Sequence, residues 1–321
     1  MKKKILLLSG DPISINSEII YKTWKKLKNP IKKKIYLVSN LNLLNAQFKK
    51  LKYSLKMVQV KNIHENIKGN HLKIINVNLK FDRPFNISQE KRSKFVLNSL
   101  DLAHQLAENG EVSGIINCAI DKKLLGKKKI GVTEYLASKC KVKNHSEVML
   151  IKNKRLSVVP ITTHVDIKHI SRKINSIKII NKTKTAEKWF KEYLNKKPKI
   201  GMLGLNPHNA ELRKGSEENK YIIPAIKKLK ASNIKIKGPL VADTLFINDY
   251  KDFDIIIGMF HDQVLGPFKA IFKFNAINIT LGLKYLRTSP DHGTATKLIY
   301  KKKAKAESLL ECINFTNKFG K

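Results

Sequence analysis

Residues 254–296 read DIIIGMFHDQVLGPFKAIFKFNAINITLGLKYLRTSPDHGTAT, and the fold is decided there. An apolar strand (Ile255, Ile256, Ile257) ends in His261, Asp262 and Gln263. Lys269 follows, then a second β-branched run (Ile277, Ile279, Thr280), Arg287, and a polar turn of Ser289, Pro290, Asp291, His292, Gly293 and Thr294. In open α/β sheets ligands collect at the carboxyl ends of strands. A chain that sets so many ligand-type side chains just after apolar runs is expected to build a site from its strand ends.

Two earlier stretches repeat the pattern of His261. Residues 156–161 (LSVVPI) run into Thr162, Thr163 and His164, and residues 200–205 (IGMLGL) run into Asn206, Pro207 and His208. Three imidazoles brought together make a metal site with open coordination positions. Each taken alone is also consistent with a loop histidine bonded to backbone. On these residues both readings stand.

Elsewhere apolar runs alternate with helical periodicity, as βαβα units do. Strands are expected at 4–8, 35–38, 57–60, 74–77, 112–118, 148–151 and 156–161, the last two as a hairpin across Lys152, Asn153 and Lys154. Helices are expected at 18–27, 41–51, 88–109, 131–137, 167–180, 185–194 and 221–229, with Asn109 and Gly110 as a C-terminal stop. The helix at 131–137 opens with free N–H groups that suit a phosphate, although Thr133 also reads as a plain N-cap. Residues 121–129, 209–219 and 238–246 read as loops, the last setting Asp243 beside Thr244. There is no long Gly/Ser linker and no internal repeat, so two intimately joined α/β subdomains are expected.

At 321 residues there is ample material for a core, and 42% hydrophobic residues argue against wholesale disorder. No apolar run approaches the roughly 20 residues that span a bilayer. The opening MKKKILLL resembles a secretory n-region but meets Ser9, Gly10, Asp11 and Pro12 too soon, so a first β-strand and a cytoplasmic protein are expected. The three cysteines, Cys118, Cys140 and Cys312, have no spacing for zinc or redox work and are expected to be reduced. A formal charge of +39, from 64 Lys+Arg against 25 Asp+Glu, is spread along the whole chain among many Asn and Ile. That is the vocabulary of an A+T-rich genome rather than a nucleic-acid-binding stripe, so neither nucleic acid nor membrane is expected as a partner. The charge still steers anionic substrates inward.

The motifs SGDP, GVTEYLA, TTH, LGLNPH, EEN with IIPAI, GPLVADTLF, MFHDQ, NITLGL and RTSPDHGTA run nearly end to end. In them the chain resembles the 4-hydroxythreonine-4-phosphate dehydrogenase family of pyridoxal phosphate synthesis. The resemblance implies a two-domain α/β fold like that of isocitrate and isopropylmalate dehydrogenases, with a central mixed sheet flanked by helices. It implies residues 1–125 with 285–321 on the cofactor side, and 126–284 for metal, substrate and dimerisation. It also implies a homodimer with its active site in a cleft near the interface.

The implied divalent metal (zinc, magnesium or cobalt) falls to His164, His208 and His261, one of the three from the partner subunit. Thr133, Lys269, Asn278 and Arg287 match substrate-binding positions, and Asp243 and Asp262 line the same cleft, so both join the histidines as catalytic. His292, Gly293 and Thr294 are the implied contacts to NAD or NADP. The implied reaction oxidises 4-phosphohydroxy-L-threonine to 2-amino-3-oxo-4-phosphooxybutanoate, which decarboxylates to 3-amino-2-oxopropyl phosphate. A paralogue acting on a threonate or erythronate 4-phosphate is the alternative. Three departures stand out. The glycine-rich loop after GDP is Ile13-Ser14-Ile15-Asn16-Ser17, Val132 stands where the family has a histidine, and Lys297 and Tyr300 occupy the usual acidic and glycine positions.

Overall fold

The computed structural model describes residues 4–65, 67–126, 131–142, 146–273 and 275–320. Residues 1–3 of the basic start and 127–129 of the expected loop lie outside the described residues. The chain forms two compact units, Met1–Lys139 with Lys284–Lys321, and Cys140–Leu283. The first division thus falls later than the expected 125/126. The helix Val132–Lys139 belongs to the first unit because Tyr135 donates its hydroxyl hydrogen to Asp101 and Lys139 pairs with the same carboxylate at 2.8 Å.

The first unit contains β1 (Ile5–Leu8), β2 (Ile35–Ser39), β3 (Met57–Val60), β4 (Leu72–Asn76), β5 (Gly114–Asn117) and β12 (Arg287–Pro290). They lie in the order β3-β4-β2-β1-β5-β12, every pair parallel. Strands covered by helices on both faces must be apolar throughout. β1 is accordingly ILLL with all four side chains buried. Asn40 caps the helix Leu41–Leu51 by accepting from Leu43 N at 2.9 Å, and Ser88 caps Gln89–Glu108. After β1 the chain turns at Gly10, whose φ of +73° and whose distance of 2.5 Å between a built Cβ and Ala119 O exclude any larger residue. Asp11 is then buried and held by Arg92 in a fork, Nε at 3.0 Å and Nη2 at 2.7 Å.

The second unit contains β6 (Val148–Lys152), β7 (Ser157–Thr162), β8 (Ile200–Leu203), β9 (Ile236–Leu240), β10 (Ile255–Phe260) and β11 (Ile277–Leu281). The order is β11-β6-β7-β10-β8-β9, with β6 antiparallel to both neighbours and the remaining pairs parallel, a mixed arrangement. The expected hairpin of β6 and β7 turns on Asn153, whose Oδ1 accepts from Arg155 N and Leu156 N at 2.8 Å each. β10 carries the three isoleucines, all fully buried, and packs with Met149, Val158, Leu203, Val264 and Phe268.

Several stretches differ from expectation. The helices read at 167–180 and 185–194 are instead short turns, Ile167–His169 and Ile170–Lys173, followed by one helix, Ser176–Leu194. Asn175 sets the new start by accepting from Lys178 N at 2.8 Å. The polar residues 181–184 do not break the helix, because Thr183 satisfies its buried hydroxyl on Ile179 O at 2.7 Å. Residues 238–246 are not one loop, since β9 runs to Leu240 and Ala242–Leu245 is helical. Finally, a helix His261–Phe272 follows β10 without a break, despite Gly266 and Pro267. No helix among the described residues is long and apolar enough to cross a membrane.

Phe268 is fully buried in the core of the second unit. Phe268→Ala is expected to cost about 3–5 kcal/mol, read as a lowered denaturant midpoint at unchanged slope.

Candidate active site

β7, β10 and β8 are adjacent and parallel, so their carboxyl ends reach one edge of the second unit. His164 follows β7, His261 opens the helix after β10, and His208 lies in the turn after β8. Register matches too, since Ile255 pairs with both Ser157 and Ile200. Thr162 locks the edge by donating to Met259 O at 2.7 Å. The rings of His164 and His261 lie 6.1 Å apart between centroids, tilted by 32°. His261 Nδ1 lies 2.6 Å from Asp262 Oδ1, which orients the ring. His208 does not join them into a set of three. Among the described residues no group of three His, Cys, Asp or Glu able to hold a metal forms within this chain.

The turn bearing His208 has an unusual backbone. His208, Asn209, Ala210, Glu211 and Leu212 all have positive φ, from 44° to 56°. Left-handed backbone costs a non-glycine residue about 1–2 kcal/mol, and such residues normally occur singly. Strain of this kind persists only where neighbours over-determine it. Here the buried Glu218 accepts from Leu205 N at 2.8 Å and Asn206 N at 2.9 Å through Oε1, and from Asn206 Nδ2 at 3.0 Å through Oε2. Burial works to raise the Glu218 carboxyl, but these hydrogen bonds outweigh it and hold its pKa below the ordinary value. Gln263 ties the two neighbouring strand ends together, accepting from Met259 N at 2.7 Å and donating to Gly204 O at 2.8 Å.

In the first unit Arg287 opens β12 fully buried and donates Nε to Asn117 Oδ1 at 2.7 Å, with Nη1 3.5 Å from Thr133 Oγ1. Burial pulls its pKa down to about 10, still well above neutrality, so the guanidinium stays charged. Two of the expected substrate residues, Thr133 and Arg287, are thus brought together. Val132 is half-buried beside them. His292 Nδ1 bonds Gly293 O at 3.0 Å, and Thr294 O accepts from Ile15 N at 3.1 Å, joining the expected cofactor residues to the loop after Gly10. In that loop the side chains turn inward. Ser14 donates to Asp11 O at 2.6 Å, and the Asn16 amide donates to Ser9 O at 2.9 Å and Ala119 O at 2.8 Å.

The other expected residues lie in the second unit. Lys269 is half-buried on the helix His261–Phe272, and Asp243 is exposed on the helix Ala242–Leu245. Asn278 is half-buried on β11, paired in register with Ile151, and its buried Oδ1 has no hydrogen-bond partner among the described residues. A buried unsatisfied acceptor is costly and points to a group that arrives with a ligand. Reading the residues alone missed Asn117 and Glu218 and named Gln263 without its role. Asn117 looked like strand core, and the signal for the other two was their place in the motifs EEN and HDQ.

The match to the family model of pyridoxal phosphate biosynthetic protein PdxA covers residues 31–316. The chain is 36% identical over 316 residues to a 4-hydroxythreonine-4-phosphate dehydrogenase from Sulfurihydrogenibium sp., spanning 97% of this chain and 96% of that one. A solved 4-hydroxythreonine-4-phosphate dehydrogenase from Klebsiella pneumoniae is similar with TM-score 0.85 at 26% identity, over 100% of this chain and 98% of the other. An isocitrate dehydrogenase from Methylococcus capsulatus, 11% identical with TM-score 0.51 over 98% and 84% of the two chains, shares the fold.

Glu211 is exposed and left-handed at φ 44°. Glu211→Gly is expected to stabilise the protein by up to about 1 kcal/mol, seen as a raised Tm.

Proposed function

Because the chain belongs to the family of pyridoxal phosphate biosynthetic protein PdxA, we propose that it oxidises the secondary alcohol of 4-phosphohydroxy-L-threonine with a nicotinamide cofactor and a divalent metal. The observation that carries this reading is the alignment of His164, His261 and His208 on three adjacent parallel strand ends. The 3-oxo product is a β-keto acid and loses carbon dioxide to give 3-amino-2-oxopropyl phosphate. A cytoplasmic homodimer is the form proposed. In support, the second unit exposes Ile167, Ile177 and Ile247 at 82%, 71% and 68%.

The donor set fits a metal in chemistry. A metal–nitrogen distance of about 2 Å places an ion roughly 3 Å from each ring centroid, so rings 6.1 Å apart are within reach of one shared ion. His164 and His261 would hold it from this chain, with His208 supplied from the second copy. Such an ion would supply a Lewis acid that lowers the pKa of a bound hydroxyl, and a nicotinamide would supply the hydride acceptor. The chain's own part is orientation and charge. Arg287, fixed by Asn117 and next to the Thr133 hydroxyl in the first unit, reads the phosphate, and the second unit offers the cation of Lys269 to an anionic substrate. Asn278 presents a buried acceptor to the substrate, and Asp243 and Asp262 take the acid–base roles. A phosphorylated threonate or erythronate is the second reading, favoured by Val132, which offers a phosphorylated substrate an apolar wall where the family offers an imidazole.

The cofactor we propose is NADP in preference to NAD. A carboxylate suits a ribose 2′-hydroxyl, and a cation suits a 2′-phosphate. Beyond His292, Gly293 and Thr294 the chain exposes Lys297, Lys301, Lys302, Lys303 and Lys305. Tyr300, 56% exposed, rests edge-on against Phe85 at 5.2 Å in the same unit.

Dehydrogenase activity measured over a panel of phosphorylated hydroxy acids, with and without divalent metal, tests the substrate. His164→Ala, His208→Ala and His261→Ala are each expected to weaken metal binding severely, to an affinity still measurable at high metal, and to abolish turnover with the fold retained, and full metal retention by all three would sink the assignment. Lys297→Asp is expected to weaken NADP about tenfold or more, the cost of one charge-assisted contact, with NAD affinity little changed. Equal losses for both dinucleotides by direct binding measurement would refute the 2′-phosphate reading.

A further inference from the structure

Glu218 is fully buried, yet it forms no ion pair with Lys or Arg among the described residues. This is notable in a chain with 64 such cations. A buried carboxylate is tolerated only when its lone pairs are satisfied. Here they are filled by the N–H groups of Leu205 and Asn206 and by the Asn206 amide, the two residues that lead from β8 into the left-handed turn. Glu217 Oε2 accepts from the same Asn206 amide at 2.9 Å. At the exit of the turn Asn219 donates its amide to Leu212 O and, at 3.1 Å, to Arg213 O. Within the turn Asn209 N bonds Asn206 O at 3.1 Å and Asn209 Nδ2 bonds Pro239 O at 3.2 Å. Gly204 leaves the room required, since a Cβ there would lie 2.1 Å from Asn209 Oδ1 and 3.1 Å from Glu218 Oε1.

Both ends of the strained turn are therefore gripped by two consecutive residues, Glu218 at the entry and Asn219 at the exit. We propose that Glu218, seconded by Asn219, is the positioning residue for His208, acting through the backbone of residues 205–212 and touching neither substrate nor cofactor. The inference rests on the reading of His208 as a metal ligand. The conformation that presents His208 outward is one that five non-glycine residues do not adopt unaided. Among the described residues the only charged side chain holding its entry N–H groups is Glu218. A carboxylate whose sole work was burial would be paired with a cation or replaced by an apolar residue of its size. Outer-shell partners of metal ligands typically govern about 10–100-fold in metal affinity.

The test uses the full-length protein in its native assembly with Co²⁺ as the probe, followed by its visible d–d absorption, and a double-mutant cycle of Glu218→Gln and His208→Ala. Glu218→Gln is expected to weaken Co²⁺ binding about 10–100-fold, with turnover recovered by excess metal and with NADP binding unchanged. In the His208→Ala background the same substitution is expected to cost nothing further. Asn219→Ala, which alters an exposed side chain, is expected to cause a smaller loss in the same direction, and it decides the matter if Glu218→Gln does not fold. Wild-type Co²⁺ affinity in Glu218→Gln, or a loss that simply adds to that of His208→Ala, overturns the positioning role while His208 remains a ligand. Wild-type affinity in His208→Ala overturns the ligand reading itself, and the positioning role with it.

Discussion

Everything proposed for this protein depends on three strands running the same way side by side. A parallel pair needs a crossover to bring the chain back to the same end, so each of β7, β10 and β8 must release its last residue at one edge. The chain then turns away, and the first residues after each strand lie along that edge. His164, His208 and His261 occupy those positions. Their common placement follows from strand direction and register, and Thr162 and Gln263 hold the register by bonding Met259 and Gly204 across neighbouring strand ends.

The first unit solves a different problem, keeping a guanidinium charged inside protein. Arg287 is desolvated on β12, and Asn117 on the adjacent β5 accepts its Nε. Burial lowers its pKa only to about 10, so it remains a cation at neutral pH. A buried fork with one edge tied down loses little freedom when it meets an anion, which makes it a better phosphate reader than any of the many solvated lysines.

Much of this was legible in the residues. Runs such as ILLL and DIIIG announce buried parallel strands, and histidines that repeatedly follow them mark the edge. The recurrent motifs identified the family, which the comparisons bear out. What could not be read has identifiable causes. The helix after His261 contains Gly266 and Pro267, both ordinarily breakers, yet it is carried by the burial of Val264, Leu265 and Phe268. Residues 181–184 looked like a break because a buried hydroxyl inside a helix leaves no trace in polarity. Asn117 was indistinguishable from strand core, since its role depends on a partner 170 residues away. The turn at 208–212 was read as loop, because without glycine no local signal announces left-handed backbone.

That last feature bears on how this site can drift. Where glycine shapes a turn, the instruction lies within the turn itself, and replacing the glycine erases it. Here the shape is imposed from outside, by the carboxylate of Glu218 and the amide of Asn219, which grip main-chain atoms that every residue except proline possesses alike. The exposed residues following His208, Glu211 and Leu212, are therefore held left-handed whatever their own preferences, whereas Asn209 and Ala210 are tied by burial as well. The heritable constraint has moved downstream, to a pair of side chains that never meet the substrate.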